Sequence, residues 1–191
     1  MTTVNGESER DGLFSFLSRR RFLKVSLVAG GAILGLGGTG LLALRGRAPK
    51  VKGLQVLDAH EYQTLQSLVA VMLPTTSAIP IDAGPMDLPR AFDRFLADEP
   101  EHNVEDLQKA LVLIELGPLV FDKKLTTFSR LGVADRAEHW NAWAVSENLL
   151  RRQVSIAMRK FFNLVYFDHE EVWPHIGYPG PSMKRTKEVT P

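Results

Sequence analysis

The chain has 191 residues, with 23 Lys and Arg against 22 Asp and Glu and a formal net charge of +1. That balance leaves no electrostatic footprint for a nucleic-acid partner. There is no cysteine, which excludes disulfides, thiolate metal sites, iron–sulfur clusters, c-type haem attachment and a thiol nucleophile.

The first distinctive stretch is Ser18-Arg19-Arg20-Arg21-Phe22-Leu23-Lys24. A serine, two adjacent arginines, one variable residue and then Phe-Leu-Lys form the pattern of a twin-arginine export signal, an address read by a receptor. A polar start with Glu7, Glu9, Arg10 and Asp11 precedes it, and residues 25–44 follow without a charge. A helix of that length spans about 30 Å, close to the hydrocarbon thickness of a bilayer. Gly30, Gly31, Gly35, Gly37, Gly38 and Gly40 keep the run only moderately apolar, and each weakens a helix by about 1 kcal/mol relative to Ala. Arg45, Arg47, Lys50 and Lys52 then oppose the usual positive-inside bias. This arrangement suits export of a folded protein by the twin-arginine translocation machinery. The absence of cysteine agrees with folding in a reducing compartment before export. No A-x-A-like cleavage site follows the run, so residues 25–44 are either removed or retained as a membrane anchor. The expected division is a signal or anchor with linker at 1–47 and a helical domain at 48–191.

Residues 48–56 read as a linker. Asp58 and Glu61 have capping-box spacing, and Tyr62, Leu65, Leu68, Val69, Met72 and Leu73 recur at helical intervals up to Pro74. Residues 74–88 are irregular, punctuated by Pro74, Pro80, Gly84 and Pro85; a loop that long is expected to pack on the domain or on a partner. Pro89 is placed as the first residue of a helix that presents Ala91, Phe92, Phe95 and Leu96. Asn103 is expected to cap the next helix, carrying Leu107, Ala110, Leu111, Ile114 and Leu116. Gly117-Pro118 should break it, with Leu119, Val120 and Phe121 in a shorter segment beyond. After a connector at 125–133, Ala134 or Asp135 opens a helix with Ala137, Trp140, Trp143 and Ala144 inward. Residues 149–167 make a last helix with Leu150, Val154, Ala157, Phe161, Leu164 and Val165 inward. The end, 173–181, is too rich in Pro and Gly for a helix, and Trp173, Ile176 and Tyr178 are expected to dock it. No run alternates with period two. The fold class is therefore all-α: a small bundle of about five helices with long Pro/Gly-rich loops, preceded by an N-terminal signal or anchor helix.

No convincing catalytic constellation appears. The histidines are His60, His102, His139, His169 and His175. His169, Glu170, Glu171 and His175 could hold a metal in principle, but they match no helical ligand pair and Pro174 interrupts them; a polar helix end with a docked tail is the plainer reading. His139 beside Trp140 reads as a satisfied surface or half-buried histidine, and Trp140 with Trp143 as core. Asp82-Ala83-Gly84 reads as a turn cap. No G-x-G-x-x-G follows a strand, and there is no P-loop. The basic residues Met183-Lys184-Arg185-Thr186-Lys187 read as a solvated end. No cofactor or metal is assigned to this chain.

The chain from about residue 57 to 181 resembles the gluconate 2-dehydrogenase subunit 3 family, the small subunits of bacterial flavoprotein dehydrogenase complexes. The residues that carry the resemblance are the capped helix ending in Leu73-Pro74, the loop from Thr75-Thr76-Ser77 to Asp82-Ala83-Gly84, and the closing Ile176-Gly177-Tyr178-Pro179-Gly180-Pro181. The resemblance implies a non-catalytic subunit that binds and stabilises a large FAD-bearing dehydrogenase subunit and carries the export signal for it. It places FAD in that partner and passes the electrons onward to a cytochrome c subunit, with haem c, or to another acceptor. It implies action on a sugar, sugar acid or alcohol, on the periplasmic side of the bacterial inner membrane. The expected partner interface comprises Pro74, Thr75, Asp82 and Gly84 in the loop and Trp173, Gly177, Tyr178 and Pro179 in the tail. Two other readings stay open: a stand-alone membrane-anchored helical binding or scaffold protein, and a small metal-assisted enzyme using His169, Glu170 and His175.

Overall fold

Asp58 opens the first described helix, α1 (Ala59–Met72), with both halves of a capping box. Its Oδ1 accepts from the Glu61 amide at 2.7 Å, and Glu61 Oε2 accepts from the Asp58 amide at 2.8 Å. Two amides that a helix start leaves unpaired are thereby satisfied. Thr64, Leu65, Leu68 and Val69 then bury one face. The computed structural model describes residues 46–181; the export pattern at 18–24, the apolar run at 25–44 and the basic residues at 183–187 lie outside the described residues.

Among the described residues there are six α-helices and no strand. After α1 come α2 (Leu88–Ala97), α3 (Glu101–Glu115), α4 (Gly117–Asp122), α5 (Val133–Ala144) and α6 (Leu149–Tyr166). The helix beyond the expected five is α4, which restarts at the Gly117-Pro118 break; Pro118 sits in its first turn, where a missing N–H costs nothing. The central element is α1, which packs on α2, α3, α5 and a 3-10 turn at Phe128–Arg130. On the far side, α6 packs on α2 and α5. Phe92 of α2 joins these layers, with ring centroids 5.2 Å from Phe161 and 6.1 Å from Phe162. The linker ends on Asp93 of α2, whose buried carboxylate accepts from the amides of Gln55, Val56 and Leu57 at 2.8, 3.0 and 2.8 Å. A fully buried charge persists only when it is satisfied in this way.

Several local expectations need correction. Asn103 is not a cap: Pro100 holds that position with an extended backbone, α3 starts at Glu101, and Asn103 turns its side chain back to Glu99 Oε2 at 3.1 Å. Likewise α5 starts at Val133 after Gly132, one or two residues earlier than the expected Ala134 or Asp135. Leu164 faces outward, because the inner line of α6 runs through Val154, Phe161, Phe162 and Val165; Ala144 is also exposed. His139 is buried, not at the surface. The tail does contain one helical piece, a 3-10 turn at Trp173–Ile176 with Pro174 in its first positions. Val172 and Trp173 dock the tail, whereas Ile176 and Tyr178 are each 44 % exposed.

Candidate functional site

The irregular segment after α1 forms one wall of a cleft of about 540 Å³. Tyr62 and Gln66 of α1, with Leu73 just past its end, face Asp82, Asp87 and Pro89 across it. Pro74, Thr75, Asp82 and Gly84 all line it, so the structure brings the loop half of the expected interface together. Local hydrogen bonds shape that loop. Thr75 Oγ1 donates to the Ile81 carbonyl at 3.3 Å, the Ile79 amide donates to Thr76 Oγ1 at 3.0 Å, and the Gly84 amide donates to Asp82 Oδ1 at 2.9 Å. The last closes an Asx turn, as the Asp-Ala-Gly spelling implies, and leads into a 3-10 turn at Gly84–Met86.

The floor of the cleft carries a polar chain that sequence pattern did not single out. Asp87 has a left-handed backbone (φ 46°, ψ 48°) and caps α2 through the Arg90 amide. Its carboxylate accepts from Tyr62 Oη at 2.7 Å and from Arg90 Nε at 2.8 Å. Arg90 also donates to the Lys52 carbonyl at 3.0 Å, tying linker, α1 and α2 at one point. Burial, followed by the hydrogen bond to Asp87 and its charge, pushes the Tyr62 hydroxyl above its usual value. Burial pushes the Asp87 carboxyl up, but the bonds from Tyr62 and Arg90 together outweigh it and hold the group below the ordinary carboxylate range. An aspartate just before Leu-Pro is a sequence sign of the helix cap alone, not of the bond to Tyr62.

The tail half of the expected interface lies in a different place. A shallow groove of about 670 Å³ runs between the end of α6 and the tail, lined among others by Lys160, Leu164, Phe167, Trp173, Ile176 and Tyr178. It shares no lining residue with the first cleft. Trp173 and Tyr178 belong to it, while Gly177 and Pro179 flank it, Gly177 with φ 69° closing the 3-10 turn. Trp173 Nε1–H donates to the Phe167 carbonyl at 2.8 Å, and its ring meets Tyr178 edge-on at 5.3 Å.

The most chemically suggestive pair joins a buried histidine to a carboxylate at the surface. His139 Nδ1 lies 2.5 Å from Asp122 Oδ2, and Trp143 Nε1 lies 3.0 Å from His139 Nε2. An indole N–H only donates, so Nε2 must accept. The imidazole is therefore neutral and carries its proton on Nδ1, toward Asp122. Burial pushes its pKa below the usual value against the pull of Asp122. With both ring nitrogens engaged, no lone pair is left for a metal or a substrate proton. Gly117 completes the fit: a Cβ there would stand 2.8 Å from His139 Nε2 and 2.9 Å from Trp143 Cζ2. Arg151 lies over the rings of Phe121 and Trp143 at 4.7 and 5.4 Å, a favourable cation–π placement. Nearby, buried Glu115 accepts from Thr64 Oγ1 at 3.1 Å and from the Ser129 amide and hydroxyl at 3.1 and 2.6 Å. It joins α1, α3 and the 3-10 turn at Phe128–Arg130.

His169, Glu170 and His175 do not converge. Among the described residues no group of three His, Cys, Asp or Glu side chains is placed to hold a metal ion, and no helix is long and apolar enough to cross a membrane. Comparison of the chain with protein-family models, with curated proteins and with solved structures gives no match.

Proposed function

We propose that the chain is a non-catalytic small subunit of a periplasm-facing FAD-dependent dehydrogenase complex acting on a sugar, sugar acid or alcohol. In this reading it binds and stabilises the large flavoprotein subunit and carries the twin-arginine signal that exports both, with a cytochrome c subunit as the onward electron acceptor. The observation that carries the reading is the pairing of Ser18, Arg19, Arg20, Phe22, Leu23 and Lys24 with a helical domain in which Pro74, Thr75, Asp82 and Gly84 meet in one open cleft. The cleft is the surface offered to the flavoprotein. Its mixture of apolar wall and a few fixed polar groups is what a partner side chain needs.

The test is to replace Arg19 and Arg20 by Lys and to follow both proteins by cell fractionation. Both are expected to stay in the cytoplasm. A flavoprotein that still reaches the periplasm in normal amount sinks the escort reading. The second reading, a stand-alone membrane-anchored binding protein, draws on the missing cleavage site after residues 25–44. Purification in mild detergent separates the two, since only the first brings a stoichiometric flavin chromophore with the chain.

A further inference from the structure

The stretch that reads as a linker is held on the domain at two points of different strength. The inner point is Asp93, 0 % exposed, whose carboxylate accepts from the amides of Gln55, Val56 and Leu57. Leu57 is buried there, and Leu54 and Val56 pack against the core. The outer point is Arg90, whose Nη1 donates to the Lys52 carbonyl at 3.0 Å and to the Gly53 carbonyl at 3.5 Å. Gly53 turns the chain with φ 76°, and a Cβ there would stand 3.4 Å from Arg90 Nη1, so the guanidinium lies close against bare backbone. The Arg90 side chain is 32 % exposed. Residues 52–57 are therefore a strap with a buried root and an outer end that a weaker, exposed bond holds.

Arg90 is itself held from the cleft. Asp87 Oδ1 accepts from the Tyr62 hydroxyl at 2.7 Å and from the Arg90 amide at 3.3 Å, and Oδ2 accepts from Arg90 Nε at 2.8 Å. Asp87 keeps a left-handed backbone at φ 46°, a conformation that a non-glycine residue holds where its surroundings over-determine it. Asp87 and Tyr62 line the cleft, and Arg90 does not. Asp82 is a second carboxylate in it, and no Lys, Arg or His is among the described residues that line it. A cation that enters the cleft therefore competes with Arg90 for one carboxylate, and a guanidinium matches that carboxylate as well as Arg90 does.

We propose that Asp87 is the pivot of a latch: bonded to Tyr62 and Arg90 it aims Arg90 at the Lys52 and Gly53 carbonyls, and a guanidinium or ammonium group seated in the cleft draws the carboxylate away and frees the outer end of the strap. The strap leads into Asp58 and α1, and it follows residues 18–44 in the sequence. The latch thus ties what enters the cleft to the chain that leads back to the export pattern. That the entering group belongs to a flavoprotein rests on the proposed function. The latch itself does not, and its test contains no flavoprotein, so either can fail alone.

Brief treatment of the full chain with a lysine-specific endoproteinase reports on the strap. A new end at Gly53 means cleavage of the peptide whose carbonyl Arg90 holds, and a new end at Val51 is the reference outside the latch. Gln66 lines the cleft one helical turn after Tyr62 and is exposed, and a long side chain there lies back over the turn that carries Tyr62. Gln66→Arg brings a guanidinium to Asp87 without adding a cleavage site, and Gln66→Met is its uncharged control. Arg90→Gln should raise the Gly53 ends relative to the Val51 ends by about two- to fivefold, the worth of one exposed ion pair. Gln66→Arg should do the same at an unchanged thermal midpoint, and Gln66→Met should not. Asp87→Asn keeps a helix cap but ends the ion pair, so in that background Gln66→Arg should add nothing. Arg90→Gln that is cleaved like the wild type would remove the latch. Gln66→Arg that behaves as Gln66→Met does, or that still raises the ratio beside Asp87→Asn, would remove Asp87 as its pivot. A joint rise of both ends with a lowered midpoint would show general loosening and overturn the inference.

Discussion

Two carboxylates in this domain are each held by an aromatic ring system, and they end in opposite circumstances. Asp122 meets His139, whose side chain is 1 % exposed and whose other nitrogen is taken by Trp143. Asp87 meets Tyr62 and Arg90; the Asp87 and Arg90 side chains are 38 and 32 % exposed, and Asp87 and Tyr62 line a cleft. The bonding chemistry is nearly the same. In the first set the imidazole has no unused valence, and the part that reaches solvent is the Asp122 carboxylate, 28 % exposed, so its role is to hold α4 against α5. The open set holds the start of α2 to α1 and still presents polar atoms to whatever enters. The two carboxylates are 28 and 38 % exposed, so it is the burial and full engagement of the partner ring, more than exposure of the carboxylate, that separates a structural lock from a surface that can bind.

The largest effect should come from emptying the lock. Trp143→Ala removes a fully buried indole and is expected to cost about 3–5 kcal/mol in denaturant unfolding. Trp143→Phe keeps a ring but strips the donor from His139 Nε2, which should cost about 1–3 kcal/mol. Equal losses for the two would show that the hydrogen bond matters and the volume does not. Gly117→Ala is next. With a Cβ at 2.8 and 2.9 Å from two buried ring atoms, overpacking should cost about 1–3 kcal/mol. A neutral result there would mean that the rings can shift, and the lock is softer than its distances imply.

A pH series sharpens the same contrast. The folded state lowers the His139 pKa, through burial first; protonation would also set an N–H against the Trp143 N–H. The neutral form is the one that folding favours. Its contribution is therefore fully present above the unfolded value, about 6.5, and is lost as pH falls toward the depressed folded value. The loss can be no steeper than about 1.4 kcal/mol per pH unit for one group. Groups facing the ring include Asp122, which opposes the shift, and Arg151 and Lys124, which add to it. Denaturant midpoints for the wild type and His139→Gln, compared between neutral and mildly acidic pH, isolate this term. Parallel curves would remove His139 from the acid response.

Most of the helical scaffold was legible because it rests on short-range rules. The Asp58–Glu61 capping box, the stripe from Leu65 to Val69, the stop at Pro74 and the break at Gly117-Pro118 are all local. The misplaced details are ones that local pattern does not decide. Asn103 has the composition of a cap, yet Pro100 already supplies the extended residue ahead of α3. Leu164 keeps helical spacing with Phe161, but two adjacent phenylalanines rotate the inner line toward Phe162. The loop residues Pro74, Thr75, Asp82 and Gly84 were noticed by their spelling, and the cleft they share arises from α1 and α2 meeting across them. The roles of His139 and Asp87 were illegible for one reason: each depends on a partner from another helix, Asp122 in one case and Tyr62 in the other.

The smallest stability effect should accompany the most telling functional one. Asp82 and Thr75 are exposed and their hydrogen bonds stay within the loop, so Asp82→Ala and Thr75→Ala should each change stability by no more than about 0.5 kcal/mol. If the α1–α2 cleft seats the flavoprotein, the same two changes should reduce the flavin that co-purifies with the chain, in proportion to lost affinity and at an unchanged thermal midpoint. Gly117→Ala should do the reverse, lowering the midpoint while the fraction that remains folded binds as before. Flavin that co-purifies normally with the Asp82 and Thr75 variants would move the partner off this cleft. That outcome would leave the sealed lock intact and remove the distinction drawn for the open one.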